Sequence, residues 1–218
     1  MTNRERRPDI HPLAVGLPTD GREIERLSHR MIDEKISEMN VDPSISPIAR
    51  RVIHATADFS FGESIRVHQE AFHRAKEAIA ARRPIICDVR MVQVGITKTG
   101  CETICAINDP EVLRYAKMVR STRSAAAMEI LADRMDGAIV AIGNAPTALW
   151  KVIEMAAAGK VNPAVVVGLP VGFVGAAESK EALVQSELCY ISNVGPRGGS
   201  PVAAAAVNAL ALEAANNN

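Results

Sequence analysis

The chain has 218 residues, and its 25 Lys and Arg balance its 25 Asp and Glu, so the formal net charge is zero. This balance gives no support for binding nucleic acid or a membrane surface through bulk charge. Hydrophobic residues make up 48% of the sequence and aromatic residues only 3%, which predicts a sizeable, alanine-rich aliphatic core. No signal peptide or bilayer-length apolar run is visible, which predicts a cytoplasmic protein with reduced thiols.

The helical periodicity begins after a polar, proline-containing stretch. Residues 1–20 are therefore predicted to be a loose extension, residues 21–214 a single domain and residues 215–218 a frayed tail. Apolar residues at spacings of three and four predict helices. These helices cover 22–39, a segment from Pro47 to His54, 69–81, 111–119, 125–135, 146–158, a segment from about 176, and 201–214. Thr122 or Ser124 is predicted to cap the helix that starts at 125.

Short apolar runs near residues 85, 103, 139, 165 and 190 predict five strands, and Met91–Ile96 is predicted to be a turn around Gly95. Runs without a polar face are typical of strands that are buried on both sides in a parallel sheet. Their alternation with helices predicts a three-layer α/β/α domain. Its sheet would be mostly parallel, five-stranded and connected by right-handed crossovers.

The stretch from Gly137 to Leu183 contains the strand–turn–helix unit twice. Ligands in such sheets bind where strands end and helices begin, which predicts a site at the turns Gly143–Thr147 and Gly168–Ser179. No dinucleotide or P-loop fingerprint is present. The glycines at 168–175 either supply positive φ angles or expose N–H groups to an anion, and both interpretations stay open.

Two helix starts carry basic side chains. Arg123 follows Thr122, and it is either a surface arginine beside an N-cap or part of a carboxylate clamp. Lys180, which follows Glu178 and Ser179, has the same two interpretations. No GxSxG nucleophile elbow is present, so a serine hydrolase is not supported.

The five histidines differ in their surroundings. His11 and His29 lie in polar stretches, and His68 and His73 are predicted on an exposed helix face. His54 follows Val52 and Ile53 at a helix end. The residues alone favour a buried or capping histidine there, and a general acid is the other interpretation.

Cys101 and Cys105 are predicted on one face of a strand. Neither has a histidine or a further cysteine nearby in the sequence. Buried thiols are therefore favoured over a zinc site.

Four segments together resemble the precorrin-8X methylmutase family over about residues 22–213. They are Val52–Ala55, Ser121–Met128, Gly143–Leu149 and Pro170–Lys180. The resemblance implies an isomerase of cobalamin biosynthesis that moves a methyl group from C11 to C12 of a corrinoid ring. The product would be hydrogenobyrinate, or cobyrinate from a cobalt-bearing substrate.

The resemblance also implies a flavodoxin-like fold, a homodimer with the site near the subunit interface, and neither an organic cofactor nor a metal. The catalytic histidine of the family matches His54, which would act as a general acid on the ring. A tetrapyrrole carrier that holds and hands on the corrin product is the alternative function. A generic nucleotide-binding protein lacks any phosphate fingerprint here.

The corrinoid carries many carboxylates, which helix starts and basic side chains would bind. The predicted substrate-binding residues are Thr122, Arg123, Ser124, Asn144, Ala145, Thr147, Gly172, Gly175, Ser179, Lys180 and Arg197. The C-terminal glycine-rich turn departs from the family pattern. Val194 and Pro196 stand where arginines are common, so Arg197 is the remaining basic residue of that turn.

Overall fold

The structure is a computed structural model that describes residue 18 and residues 20–216. The predicted extension, including His11, therefore lies almost entirely outside the described residues, as do the last two residues of the predicted tail. The final helix reaches Asn216, two residues into that tail.

The helices are, in chain order, α1 (Gly21–Glu38), α2 (Ser46–Thr56), α3 (Phe61–Ser64), α4 (Ala71–Ala80), α5 (Arg90–Gly95), α6 (Pro110–Met118), α7 (Arg123–Ile130), α8 (Pro146–Ala157), α9 (Ala176–Gln185) and α10 (Ser200–Asn216). The strands are β1 (Ile65–Val67), β2 (Ile85–Cys87), β3 (Thr103–Ile104), β4 (Ile139–Ile142), β5 (Val165–Gly168) and β6 (Tyr190–Asn193).

The sheet has six strands in the order β1-β6-β5-β4-β2-β3. The five predicted strands are parallel, and their order in space is that of the flavodoxin-like doubly wound fold. The predicted fold class is thus confirmed. The sixth strand, β1, pairs antiparallel with β6 at one edge, with Ile65 opposite Asn193. Its three residues are too few to show a period in the sequence.

Alternate strand residues face the two helical layers. Ile139 and Ala141 belong to the core cluster that also contains residues of α1, α2, α4 and α10, whereas Val140 and Ile142 belong to the cluster that contains residues of α6, α7, α8 and α9. This division follows from the two-residue period of a strand. All four residues of β4 are buried, which explains why this strand appears in the sequence as an uninterrupted apolar run.

Gly143, directly after β4, lets α10 lie close to the sheet. A Cβ atom at this position would be 2.8 Å from the Cα atom of Ser200 and 2.7 Å from a side-chain carbon of Val92. The start of α10 therefore lies directly over the end of the central strand.

Three local predictions were wrong. Residues 90–95 form α5 rather than a turn, and Gly95 serves helix contact, since a Cβ there would be 2.7 Å from the Cβ of Ala204. β3 covers only Thr103–Ile104, so Cys101 and Cys105 flank the strand as free thiols. His68 lies after β1, where its ring packs edge-on against Tyr190.

Within residues 20–216, none of the helices is both long and apolar enough to cross a bilayer. In the same part of the chain, no cluster of three or more His, Cys, Asp and Glu side chains is arranged to hold a metal ion.

Candidate active site

The carboxyl ends of β2 and β4 meet at the topological switch point of the sheet, where ligands of doubly wound folds bind. Asp88 follows β2 and is fully buried there. Its carboxylate accepts hydrogen bonds from the backbone N–H groups of Gly143 (3.0 Å), Asn144 (2.8 Å) and Ala145 (2.7 Å). Burial raises the pKa of Asp88, and these hydrogen bonds act in the opposite direction.

This arrangement corrects the expected role of the turn before α8. The N–H groups of Asn144 and Ala145 were predicted to bind a substrate carboxylate, but Asp88 already occupies them. Pro146, the first residue of α8, has no N–H group. The side chain of Asn144 is exposed at this turn, so its amide remains accessible.

A cluster of polar side chains, the turn cluster, joins the starts of α7 and α8. Thr122 caps α7 by accepting from the N–H of Ala125, and its hydroxyl lies 2.8 Å from that of Thr147. Arg123 is exposed, and its guanidinium donates to Asn108 Oδ1 at 3.4 Å. Thr122, Arg123, Asn144 and Thr147 thus lie in neighbouring turns at one edge of the sheet. Ser124 is buried in the first turn of α7 and does not face that surface.

The start of α9 differs from the start of α8. Its N-cap, Gly175, has a positive φ of 76° and gives no side-chain cap. The predicted contacts of Ser179 and Lys180 with a ligand do not fit their burial, since their exposed fractions are 0% and 1%. Ser179 donates to a carbonyl of its own helix, and the ammonium of Lys180 donates to Asn193 Oδ1 at 3.0 Å and to the carbonyl of Arg197.

Two glycine-rich loops, residues 169–175 after β5 and residues 194–199 after β6, are joined by backbone hydrogen bonds. The N–H of Gly172 donates to Pro196 O at 3.1 Å, and the N–H of Gly199 donates to Leu169 O at 2.8 Å. A Cβ at Gly198 would lie 2.3 Å from Leu169 O, so only glycine allows this approach. The loop after β5, which contains Gly172, is therefore held in place by the loop after β6.

Arg197 is exposed, but its guanidinium is already paired. It donates to Asp58 Oδ2 at 2.5 Å and to the hydroxyl of Ser60. Hydrogen bonds from Ser60, and then from Arg197, hold the pKa of Asp58 below its usual range. Rather than being free for a substrate carboxylate, Arg197 connects the loop after β6 to the segment after α2.

His54 lies in the last turn of α2, and its side chain is exposed. The buried position favoured by the residues alone is therefore wrong. Val52 and Ile53 are buried, and the next residue is rotated about 100° around the helix axis, which turns His54 outward. The ring borders an apolar groove of about 340 Å³ between α1 and α2. Leu27, Met31 and Phe59 also line that groove.

Two residues of α1 contact the His54 ring. Ser28 Oγ lies 3.0 Å from Nδ1 of His54, and the ring of His29 packs edge-on at a centroid distance of 4.9 Å. Arg51 lies 3.4 Å from Nε2 of His29 and donates to Glu25 at 3.1 Å. Burial, followed by the charges of His54 and Arg51, lowers the pKa of His29. Of the two adjacent rings, only that of His54 is exposed.

The carboxyl edge of the sheet carries an unusual amount of exposed apolar surface. In the loop before α9, Phe173 is 99% exposed and Val174 is 88% exposed. Four further exposed apolar side chains follow the strands β2, β5 and β6: Met91, Val94, Val171 and Val194. Ile24, Leu27, Met31 and Phe59, which are also exposed, line the groove beside His54. An exposed apolar surface of this kind, bordered by polar turns, is typical of a ligand or protein contact.

Comparison with known proteins accounts for these features. The sequence model of the family described as precorrin-8X methylmutase matches residues 23–213. This chain belongs to the precorrin-8X methylmutase family. It is 40% identical over 211 residues to the cobalt-precorrin-8 methylmutase of Priestia megaterium, covering 94% of this chain and 92% of that protein. It is 41% identical over 200 residues to the precorrin-8X methylmutase of Pseudomonas aeruginosa, covering 89% and 96%.

The fold comparison agrees. The crystal structure of the precorrin-8X methylmutase from Thermus thermophilus superimposes with a TM-score of 0.82 at 37% identity, covering 90% of this chain and 98% of that one. The methylmutase family predicted from the four sequence segments is thus confirmed.

Sequence reasoning missed several residues of this candidate site. Ser28 and His29 were placed in a merely polar stretch, and Asp88 was included in a strand. A carboxylate directly after a fully buried strand was the signal that could have revealed Asp88, because charged groups are buried only when they are paired. Ser28 and His29 gave no comparable signal, since their contacts with His54 span 26 and 25 positions of sequence.

Proposed function

We propose that this protein catalyses the methylmutase reaction on a precorrin-8-type corrinoid, with His54 as the general acid. The observation that carries the proposal is an exposed histidine, paired with a second histidine of lowered pKa, beside an apolar groove at the carboxyl edge of a methylmutase-family fold. The family membership supplies the reaction, in which a methyl group moves from C11 to C12 of the ring.

The chemistry suits a single well-placed proton. A 1,5-shift of the methyl group within the ring needs no nucleophile. Protonation of a ring nitrogen, or a hydrogen bond to it, makes the π-system more electron-poor and favours migration. The proton returns to His54 when the product forms. Because Ser28 lies at Nδ1, Nε2 of His54 is the nitrogen left to face the ring.

The exposed apolar side chains support binding of the macrocycle through its faces. Phe173 and Val174, in the loop before α9, are the most exposed of them. The polar turn cluster and the uncapped start of α9 would receive the acidic groups of the rim. Thr122, Arg123, Asn144 and Thr147 are the proposed side-chain contacts. Ser124, Ser179 and Lys180 are buried, and Arg197 is paired with Asp58, so these four are not proposed as direct contacts.

Turnover distinguishes the enzyme from a carrier. Purified protein added to precorrin-8X should convert the absorbance spectrum of the substrate to that of hydrogenobyrinate, with many turnovers for each protein molecule. Stoichiometric binding without this conversion would contradict the proposal and favour a carrier.

Replacement of Arg123 by methionine should raise KM, with a smaller effect on kcat. A hydrogen bond to a charged group contributes about 1.5–3 kcal/mol, which corresponds to a rise of roughly 10- to 100-fold. The measurement is the initial rate as a function of substrate concentration. Arg114→Met is the matched control, because Arg114 is an exposed arginine of the adjoining helix α6. Equal KM values for the two variants would exclude Arg123 as a rim contact.

We also infer a homodimer in which a second copy covers the groove between α1 and α2. Ile24, Leu27 and Met31 expose 48%, 41% and 60% of their surface on one face of α1, next to His54. A second copy over this face would bury that apolar surface and enclose the proton donor. A cytoplasmic location is proposed as well, since the four cysteines are free thiols.

Met31→Glu should shift the protein from dimer to monomer in sedimentation equilibrium. A carboxylate in an apolar interface has no partner and must be desolvated, which disfavours association. The wild type should sediment at twice the 23.3 kDa mass of one chain. Met118→Glu is the control, because Met118 is similarly exposed at the end of α6, away from the groove. A Met31→Glu protein that remains dimeric would place the interface elsewhere.

A further inference from the structure

Lys180 is a buried cation that makes no contact with the proposed substrate surface. Lysine is almost never fully buried unless it is paired, yet this side chain is 1% exposed. Its ammonium donates to Asn193 Oδ1 at 3.0 Å and to the carbonyl of Arg197. Burial lowers the pKa of Lys180 to about 8, so the side chain is still mostly protonated at neutral pH.

The ammonium of Lys180 and the side-chain amide of Asn193 both donate to the carbonyl of Arg197. Asn193 Nδ2 also donates to the carbonyl of Arg197, at 3.0 Å, and to that of Val194 at 3.1 Å. Asn193 is the last residue of β6, and Lys180 lies in α9. The peptide group of Arg197 is therefore fixed from two secondary-structure elements at once.

The side chain of Arg197 points away from this anchor, toward the histidine segment. It binds Asp58 Oδ2 and the hydroxyl of Ser60, as described above. The other carboxylate oxygen of Asp58 accepts from the N–H of Ser60 at 3.0 Å. Asp58 follows His54 by four residues, and the intervening Ala57 ends α2 in the left-handed region with a φ of 53°.

We propose that Lys180 is a positioning residue of the methylmutase site, which acts through Arg197 and Asp58 on the end of α2 that carries His54. This inference rests on the proposed role of His54 as the acid. The chain of contacts joins the loop after β6 to the segment after α2 through side chains, in addition to the backbone pairing of β1 with β6. It fixes the distance between the histidine and the two glycine-rich loops.

Removal of the ammonium tests the first link. Lys180→Met keeps the length of the side chain but removes its donors, so the carbonyl of Arg197 retains only Asn193. A displacement of about 1 Å far from the chemistry can lower a rate up to roughly 10²-fold, so kcat should fall by about 10- to 100-fold with KM little changed. Lys151→Met is the control, because Lys151 pairs with Glu154 on the surface of α8.

Arg197→Met tests the second link and is expected to fold, since the side chain is exposed. If Lys180 acts through Arg197, the double variant should be no slower than Arg197→Met alone. Residues that act independently would instead show additive effects on the activation free energy. Additive effects, or a wild-type kcat in Lys180→Met, would overturn the proposal. Lys180→Gln replaces Lys180→Met if thermal melting shows that the latter is unfolded.

A spectroscopic measurement separates this inference from the acid role. The ring Hε1 resonance of His54, assigned by its loss in His54→Gln, should shift in Lys180→Met and in Arg197→Met but not in Lys151→Met. This result is independent of turnover and would hold even if His54→Gln remained active, in which case only the acid role fails. An unchanged His54 resonance in both variants would overturn the positioning role.

Discussion

Replacement of His54 by glutamine should lower kcat by about 10²- to 10⁴-fold, because that is the usual contribution of a general acid. Glutamine is polar and similar in size, so it can still approach Ser28, but it cannot deliver a proton to the ring. Binding of hydrogenobyrinate, measured by equilibrium titration of its absorbance, should be little changed. A loss in rate without a loss in product affinity is the expected result for a group that acts in the transition state.

His73→Gln provides the matched control. His73 is exposed on α4, where it lies 3.5 Å from Glu77 one helical turn away, and its replacement should leave kcat and KM unchanged. A His54→Gln protein with wild-type kcat would show that the proton comes from elsewhere.

The neighbouring His29 differs from His54 in its exposure. Its ring is partly buried, and burial, followed by the charges of His54 and Arg51, lowers the pKa of His29. The ring of His54 is exposed and borders the groove, so it is the member of the pair placed to reach a substrate. This difference in exposure depends on the contact between α1 and α2.

The layered fold follows from local patterns, which is why the sequence predicts most of it. Buried parallel strands are continuous apolar runs, and the helices between them show a clear period. The errors occur where a segment is too short for a period to appear. β1 has three residues and α5 six, and α5 contains Gly95, which the sequence alone presents as a turn residue.

The site was less predictable, because its residues act through contacts between distant segments. The catalytic role predicted for His54 came from the resemblance to a family. Its neighbours Val52 and Ile53 instead favoured a buried side chain. Lys180 was predicted at a helix surface. In the structure α9 begins at Ala176, so Lys180 falls on the inner face and reaches Asn193. Such pairings are fixed by tertiary packing and leave no mark at one position of the sequence.

Replacement of Asp88 by alanine should have the largest effect on stability. The carboxylate accepts three backbone N–H groups of the turn after β4, and the position is fully buried. A buried donor left without a partner costs about 1–3 kcal/mol. Asn144 can recover a bond to water because its residue is exposed, so the expected loss in the free energy of unfolding is about 2–5 kcal/mol. Urea denaturation followed by circular dichroism measures it.

Asp88→Asn separates the shape of this side chain from its capacity to accept. The amide has the same size, but one of its two oxygens is replaced by an NH₂ group that would face an N–H donor of the turn. Its loss of stability should therefore lie between that of Asp88→Ala and zero. Asp109→Asn is the control, since Asp109 is exposed and makes no side-chain cap at α6. If Asp88→Asn matches the wild type, the carboxylate is not what holds the turn.

Asp88→Asn should also reduce activity by more than its loss of folding stability explains. The turn that Asp88 holds carries Asn144 and Thr147, and the hydroxyl of Thr147 contacts Thr122 beside Arg123. Release of the turn would separate the polar contacts proposed for the rim of the corrinoid. At a temperature where Asp88→Asn is fully folded, its KM should therefore rise while the residual kcat still depends on His54. A normal KM in the folded variant would limit the role of Asp88 to stability.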